Sequence, residues 1–284
     1  MKLENRWLIL GWGAMFIVPV VVTILAFVTL ATTDMADLVV GTPLVITPTV
    51  TAHPPTPTPL PNINALVEAA GLAFEAGDFA QASTLFLDAL AVSPDEPVLY
   101  NNLGLALMQD GRLEEAVEAF ETAVSLNPQL ADIHYNLGAA YTALSQPDKA
   151  QAAYEQALAT DPGYALAYVG LGTLFHDRHE LADAQAAYEQ AIVLSPELAV
   201  AHRNLGQVLA ESGQLAEAAE KMETAVTLDP NYIPAHYDIA IIYANMGQTA
   251  AARRHLEHVI MLDGPTGQWG RLAQEQLTQF PPEK

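Results

Sequence analysis

From residue 63 to residue 266 the apolar positions of the chain recur every 34 residues. Ala82, Ala116, Ala150, Ala184, Ala218 and Ala252 are in register, and so are Phe86, Phe120, Tyr154, Tyr188, Met222 and Leu256. Pro94, Pro128, Pro162, Pro196 and Pro230 keep the same period, each preceded by Ser, Asn or Asp. The residue before a proline is pushed out of the α region, so each such pair ends a helix. Inside a unit two stripes run at helical spacing, as in Leu103, Gly104 and Leu107 and then Ala116, Phe120 and Ala123. Gly77, Gly111, Gly213 and Gly247 stand between the stripes, where a helix C-terminus favours a positive φ. The pattern predicts six helix hairpins, over 63–96, 97–130, 131–164, 165–198, 199–232 and 233–266. One hairpin cannot cover its own apolar faces, whereas a stack buries a continuous core. The small residues admit close helix approach, with Gly104, Gly138, Gly172 and Gly206 expected to face the neighbouring hairpin.

Residues 267–284 carry one more amphipathic stripe, Trp269, Leu272, Ala273, Leu277 and Phe280, with Arg271, Gln274 and Glu275 opposite. This segment is expected to be a capping helix over the last hairpin, followed by a short tail.

The start of the chain has a different pattern. After a short N-terminus, residues 1–6, the stretch Trp7–Leu30 holds 24 residues without a charge. As a helix it would be roughly 36 Å long, enough to cross a bilayer core, so it is expected to be a transmembrane helix. A cleaved signal peptide is the competing reading, but such apolar regions are shorter and Thr29 and Ala31 make a weak cleavage site. Lys2 and Arg6 precede the stretch, Asp34 and Asp37 follow it, and the next basic residue is Arg112. The positive-inside rule then keeps the N-terminus in the cytoplasm and puts the repeats outside it, on a single-pass protein of the cell membrane. Residues 31–62 form a linker whose core, residues 41–61, is rich in Thr and Pro. Proline removes donors and fixes φ there, so the linker is a spacer, reaching roughly 60 Å if largely polyproline II.

Composition narrows the function. Eleven Lys plus Arg oppose 33 Asp plus Glu, a net charge of −22, which disfavours nucleic acid as a ligand. The absence of cysteine excludes disulfides, thiolate metal sites and thiol nucleophiles. His134, His202 and His236 share one slot of the repeat with Tyr100 and Tyr168, and that slot is expected to serve packing. His176 with His179, and His255 with His258, are spaced to share a helical face, but only weak adventitious metal binding is expected of them. No nucleophile motif, phosphate loop or paired-carboxylate signature stands out, so neither catalysis, a cofactor nor a dedicated metal is expected.

With Tyr168, Leu171, Gly172, Phe175, Ala184, Tyr188, Ala191 and Pro196, the chain resembles the tetratricopeptide repeat, whose 34-residue pattern places those residue types in that order. It departs locally: Ser145 and His179 replace the turn glycine, Ala69 and Ala70 replace Leu-Gly, and the sixth unit ends Asp263-Gly264-Pro265. The resemblance implies an all-α solenoid of helix hairpins, a right-handed superhelix whose concave wall is built from the first helix of each hairpin. On that wall Asn101 and Asn102, Tyr135 and Asn136, Arg203 and Asn204, and Tyr237 and Asp238 become the candidate peptide-binding residues. Asn102, Asn136 and Asn204 recur in register, and a side-chain amide both donates to and accepts from an extended backbone. The alternative is that these asparagines hydrogen-bond to the adjacent helix. Only Arg203 is basic on this wall, which disfavours a ligand held by its C-terminal carboxylate. The expected function is therefore that of a membrane-anchored adaptor holding a neutral or basic protein segment on its concave surface. The second expectation is structural: assembly of an envelope complex through the convex face, or self-association.

Overall fold

The computed structural model describes residues 62–280. The expected transmembrane helix, the spacer up to residue 61 and the last four residues of the tail lie outside that range. Among the described residues no helix is long and apolar enough to cross a membrane.

The described residues form thirteen α-helices and no strand. They fall into two compact units that divide between Gly170 and Leu171. The first holds α1 (Ile63–Glu75), α2 (Phe79–Val92), α3 (Pro97–Gln109), α4 (Leu113–Leu126), α5 (Ala131–Ala143), α6 (Pro147–Thr160) and the start of α7 (Ala165–Asp177). The second holds the rest of α7, then α8 (Leu181–Leu194), α9 (Ala199–Glu211), α10 (Leu215–Leu228), α11 (Ile233–Asn245), α12 (Thr249–Asp263) and α13 (Gln268–Thr278).

In the first unit α1 packs on α2, α3 on α4 and α5 on α6, and the hairpins then stack, α2 on α3 and α4 on α5. The second helices contribute Ala82, Phe86 and Ala89, then Ala116, Phe120 and Ala123, then Ala150, Tyr154 and Ala157 to the core, and the first helices contribute Leu99, Leu103, Ala106, Ile133 and Tyr135 among others. The glycine of each Leu-Gly pair proves to face its own hairpin. A Cβ on Gly104 would sit 2.6 Å from the Phe120 ring, and one on Gly138 equally close to Tyr154. The large residue of the second helix thus fits into the bare backbone of the first, which is why a glycine and an aromatic recur together.

The hairpin turns share one geometry. After α3, Gly111 N–H donates to the Met108 carbonyl and Arg112 N–H to the Leu107 carbonyl, with Gly111 at φ 78°. This is the Schellman ending, which satisfies the orphan carbonyls of the last turn. Ser145 occupies the same slot at φ 55°, so the turn persists without its glycine.

In the second unit the same construction repeats, with α9 on α10, α11 on α12 and α10 on α11. Here the core stripe reads Ala184, Tyr188 and Ala191, then Ala218, Met222 and Ala225, then Ala252, Leu256 and Val259. His179 takes the positive-φ slot at 59°, alongside Gly213 and Gly247. The helix α13 packs on α12 and α11, placing buried Ala273 with Ala240, Leu256 and Val259, and Trp269, Leu277 and Phe280 around them. Its start is set by Asp263, which accepts the N–H of Gly270 at 2.9 Å.

Candidate functional site

The first helices gather the candidate residues into two groups, one in each unit. In the first unit α3 presents Asn101 and Asn102, and α5 presents Tyr135 and Asn136; all four are buried. Asn136 donates from Nδ2 to Oδ1 of Asn101 at 3.0 Å, so these two amides bind the adjacent first helices to each other. Tyr135 lies between the rings of Tyr154 and Tyr164, at 5.7 and 5.4 Å between centroids, and burial pushes its hydroxyl pKa well up. Asn102 resembles the Tyr135 hydroxyl, which is buried without a hydrogen-bond partner. Its side chain is buried, yet neither Nδ2 nor Oδ1 has a hydrogen-bond partner.

In the second unit α9 presents Arg203 and Asn204, and α11 presents Tyr237 and Asp238. Arg203 donates through Nε to Oδ2 of Asp238 at 2.6 Å, and Gln207 donates to the same oxygen at 2.9 Å. The guanidinium also sits over the Tyr232 ring, 5.8 Å from its centroid. Asn204 is buried, and neither Nδ2 nor Oδ1 of its amide has a hydrogen-bond partner. Tyr237 is half-buried, with its ring edge-on to Trp269 at 5.4 Å. Its hydroxyl is pushed up to about 12, by burial first and then by the charge of Asp238.

These pairings follow one offset. Asn101 with Asn136, His176 with Glu211 and Arg203 with Asp238 are each separated by 35 residues, one more than the repeat. A side chain on one first helix therefore meets the next slot along on the following first helix, consistent with the slight advance of each hairpin in a stack. The hydrogen-bonded pair of His176 and Glu211, with both side chains buried, was not among the candidates. The His176 slot holds Phe74, Met108, Thr142, Ala210 and Ala244 in the other units, so the repeat pattern does not single the pair out.

The shared histidine slot has a structural task. His134, His202 and His236 each donate from Nε2 to the carbonyl of the proline six residues earlier, Pro128, Pro196 and Pro230, at 2.9, 2.9 and 3.1 Å. Each ring thereby satisfies the carbonyl of a loop proline. The recurring proline-to-histidine spacing of six was legible in the sequence. Among the described residues no group of three or more His, Cys, Asp or Glu is arranged to hold a metal ion.

Family models of the tetratricopeptide repeat match residues 104–145, 131–164, 177–233 and 209–275, spanning both units. The chain belongs to the tetratricopeptide repeat family. No curated protein matches the sequence significantly. Among solved structures, MamA is similar at 25% identity with a TM-score of 0.50, over 59% of this chain and 92% of that one. TTC0263, a thermophilic tetratricopeptide repeat protein in Thermus thermophilus, is similar at 21% identity and 0.57, over 64% and 100%. The Cut9–Hcn1 hetero-tetramer of the APC/C is similar at 17% and 0.67, over 76% of this chain but only 42% of that one. The last two likenesses concern the fold alone. Tetratricopeptide repeats bind protein or peptide partners and typically act as non-catalytic interaction scaffolds, and this chain is a helical repeat protein of that type.

Proposed function

We propose that this tetratricopeptide repeat protein is a membrane-anchored adaptor that holds an extended segment of a neutral or basic partner along the first helices of its hairpins. The observation that carries this reading is Asn102, buried with both ends of its amide unmatched. An unmatched buried polar group costs about 1–3 kcal/mol, and the N–H and C=O of an extended backbone are the two groups that relieve it. Within the second unit taken by itself, Asn204 in the corresponding slot is buried with its amide equally unmatched. The acidic balance of the chain favours a partner without excess negative charge. Arg203 is occupied by Asp238, which argues against a carboxylate tail as the anchor. In this reading the apolar stretch Trp7–Leu30 fixes the protein in the cell membrane with its N-terminus in the cytoplasm and its repeats outside.

The test begins with proximity labelling from the intact anchored protein to name the partner. Replacing Asn102, Asn136 and Asn204 together with alanine is expected to weaken capture of that partner at least tenfold while circular dichroism keeps the same helicity. Unaltered capture rejects the groove. Protease added outside intact cells is expected to degrade the repeats, and their protection would overturn the orientation.

A second reading is supported by a different face. Leu87 and Leu126 in the first unit, and Val193, Leu228 and Met261 in the second, are all exposed and all lie on second helices. Such residues suit assembly through the outer face or self-association. Light scattering of the protein in detergent tests the self-association part of this reading, since a strict monomer leaves self-assembly without support.

A further inference from the structure

Three histidines from two helices, His236 and the pair His255 and His258, meet at the end of the second unit. The ring of His236, on α11, lies 4.3 Å from that of His258 and 5.2 Å from that of His255, both on α12. His236 and His258 both direct Nε2 at the carbonyl of Pro230, at 3.1 and 3.2 Å. A carbonyl only accepts, so both of those nitrogens carry a proton. The other nitrogen of a neutral His236 is then a lone pair, and it lies 3.0 Å from Nδ1 of His255. That contact is a hydrogen bond only if His255 donates.

We propose that His236, His255 and His258 form a pH-sensitive latch that keeps the α11–α12 hairpin and the helix α13 closed at neutral pH and releases them in mildly acidic surroundings. The latch can take up one proton without breaking. That proton goes to Nε2 of His255, which faces Oε1 of Glu223 on α10 at 3.5 Å. A second proton, on Nδ1 of His236, places two N–H groups head to head at the same 3.0 Å and turns the bond into a repulsion.

The groups around the rings come from every neighbouring segment. Glu223 on α10 favours charge, and it already accepts from the Tyr243 hydroxyl of α11 at 2.7 Å. Arg254 and His258 on α12 oppose charge on His255, and His255 and His258 oppose it on His236. Asp229, in the loop before α11, is engaged by the N–H of Asn231 at 3.0 Å. Burial is the largest influence on both His236 and His255 and holds each pKa below the ordinary 6.5. The unfolded segment therefore takes up protons first as pH falls. The stability these two rings contribute is complete above about 6.5 and is lost as pH drops through that value toward the folded ones.

Loosening remains local because the α11–α12 hairpin has a further hairpin on one side only and a single capping helix, α13, on the other. The helix α11 also carries Tyr237 and Asp238, so its release would separate Asp238 from Arg203. Any effect on partner binding rests on the adaptor reading; the latch itself does not.

Hydrogen exchange of the full chain in EDTA at pH 7.5 and 5.5, corrected for the intrinsic pH dependence of exchange, tests the proposal. Peptides from 233–280 are expected to exchange about tenfold faster or more at pH 5.5. Residues 97–126, a hairpin without histidine, serve as the internal reference and should change less than about twofold. His255→Gln keeps a donor for His236 but cannot titrate, so it should cut the pH response while preserving protection at pH 7.5. The double variant His236→Tyr with His255→Gln should reduce the response below that of His255→Gln alone, leaving at most the part that His258 carries. Equal pH sensitivity of 233–280 and 97–126 in the natural chain would overturn the latch, as would an undiminished response in His255→Gln.

Discussion

Arg203 and Asp238, 35 residues apart, are joined by a hydrogen bond of 2.6 Å that ties α9 to α11. The arginine side chain is 5% exposed and the carboxylate 20%, so the pair is largely removed from water. Losing one member of such a pair leaves a charge that burial penalises. Arg203→Met is therefore expected to destabilise the second unit by about 2–3 kcal/mol, a value reduced from the fully buried case for the exposure of Asp238. Arg203→Met with Asp238→Leu should recover more than half of the loss. Urea denaturation of the three proteins measures this, and an additive double variant would show that the pair does not act as a unit.

Gly138 tests the packing of a glycine into an aromatic ring. A Cβ there would lie 2.6 Å from carbons of the Tyr154 ring. That ring is buried and its hydroxyl pairs with Thr142 at 3.2 Å, so it has little freedom to retreat. Gly138→Ala should cost about 1–3 kcal/mol, the usual range for overpacking. Adding Tyr154→Leu should return part of it, visible as a partial recovery of the melting temperature followed by circular dichroism.

The turn slot offers changes in the stabilising direction. Ser145 and His179 hold φ at 55° and 59°, where a side chain is strained and glycine is not. Ser145→Gly and His179→Gly should each stabilise the chain by up to about 1 kcal/mol, since relief of the backbone exceeds the entropy glycine adds to the unfolded state. Gly213→Ala, at φ 80°, should lose a similar amount. Thermal melts decide, and a lower melting temperature for both glycine variants would reject the argument.

The hairpin and its turn were legible because each depends on residue types that repeat. Pro94 and its equivalents end helices, Gly111 and its equivalents reverse the chain, and Ala116 with Phe120 marks the buried stripe. The space beside Gly104 is filled by Phe120 of the same hairpin and not by the neighbouring one; a bare glycine does not say what packs against it. Contacts between hairpins were less legible. Their offset of 35 residues joins different slots, and the pairs that use it, two amides in one place and an arginine with a carboxylate in another, share no residue type. The histidine latch was hidden for a related reason. His255 and His258 share a helical face in sequence, but the ring that completes the cluster arrives from α11 through tertiary packing.

The capping helix depends on Trp269 more than on its own helical tendency, because eleven residues are too few to hold a helix without a packed face. Trp269 lies edge-on to Tyr237 and joins Leu277 and Phe280 around Ala240, Leu256, Val259 and Ala273. Trp269 is half-buried, so Trp269→Ala should cost about 1–2 kcal/mol, less than a fully buried aromatic. The loss should be confined to α11, α12 and α13, seen as faster hydrogen exchange there with α3–α6 unchanged. Gly270→Ala should have the same regional effect through a different cause, since its Cβ would collide with the Gly264 carbonyl that the close approach of α13 brings beside it. If both variants leave exchange across 249–263 at its original rate, α13 rests on the last hairpin without stabilising it, and Asp263 with Gly264 alone sets where the repeats end.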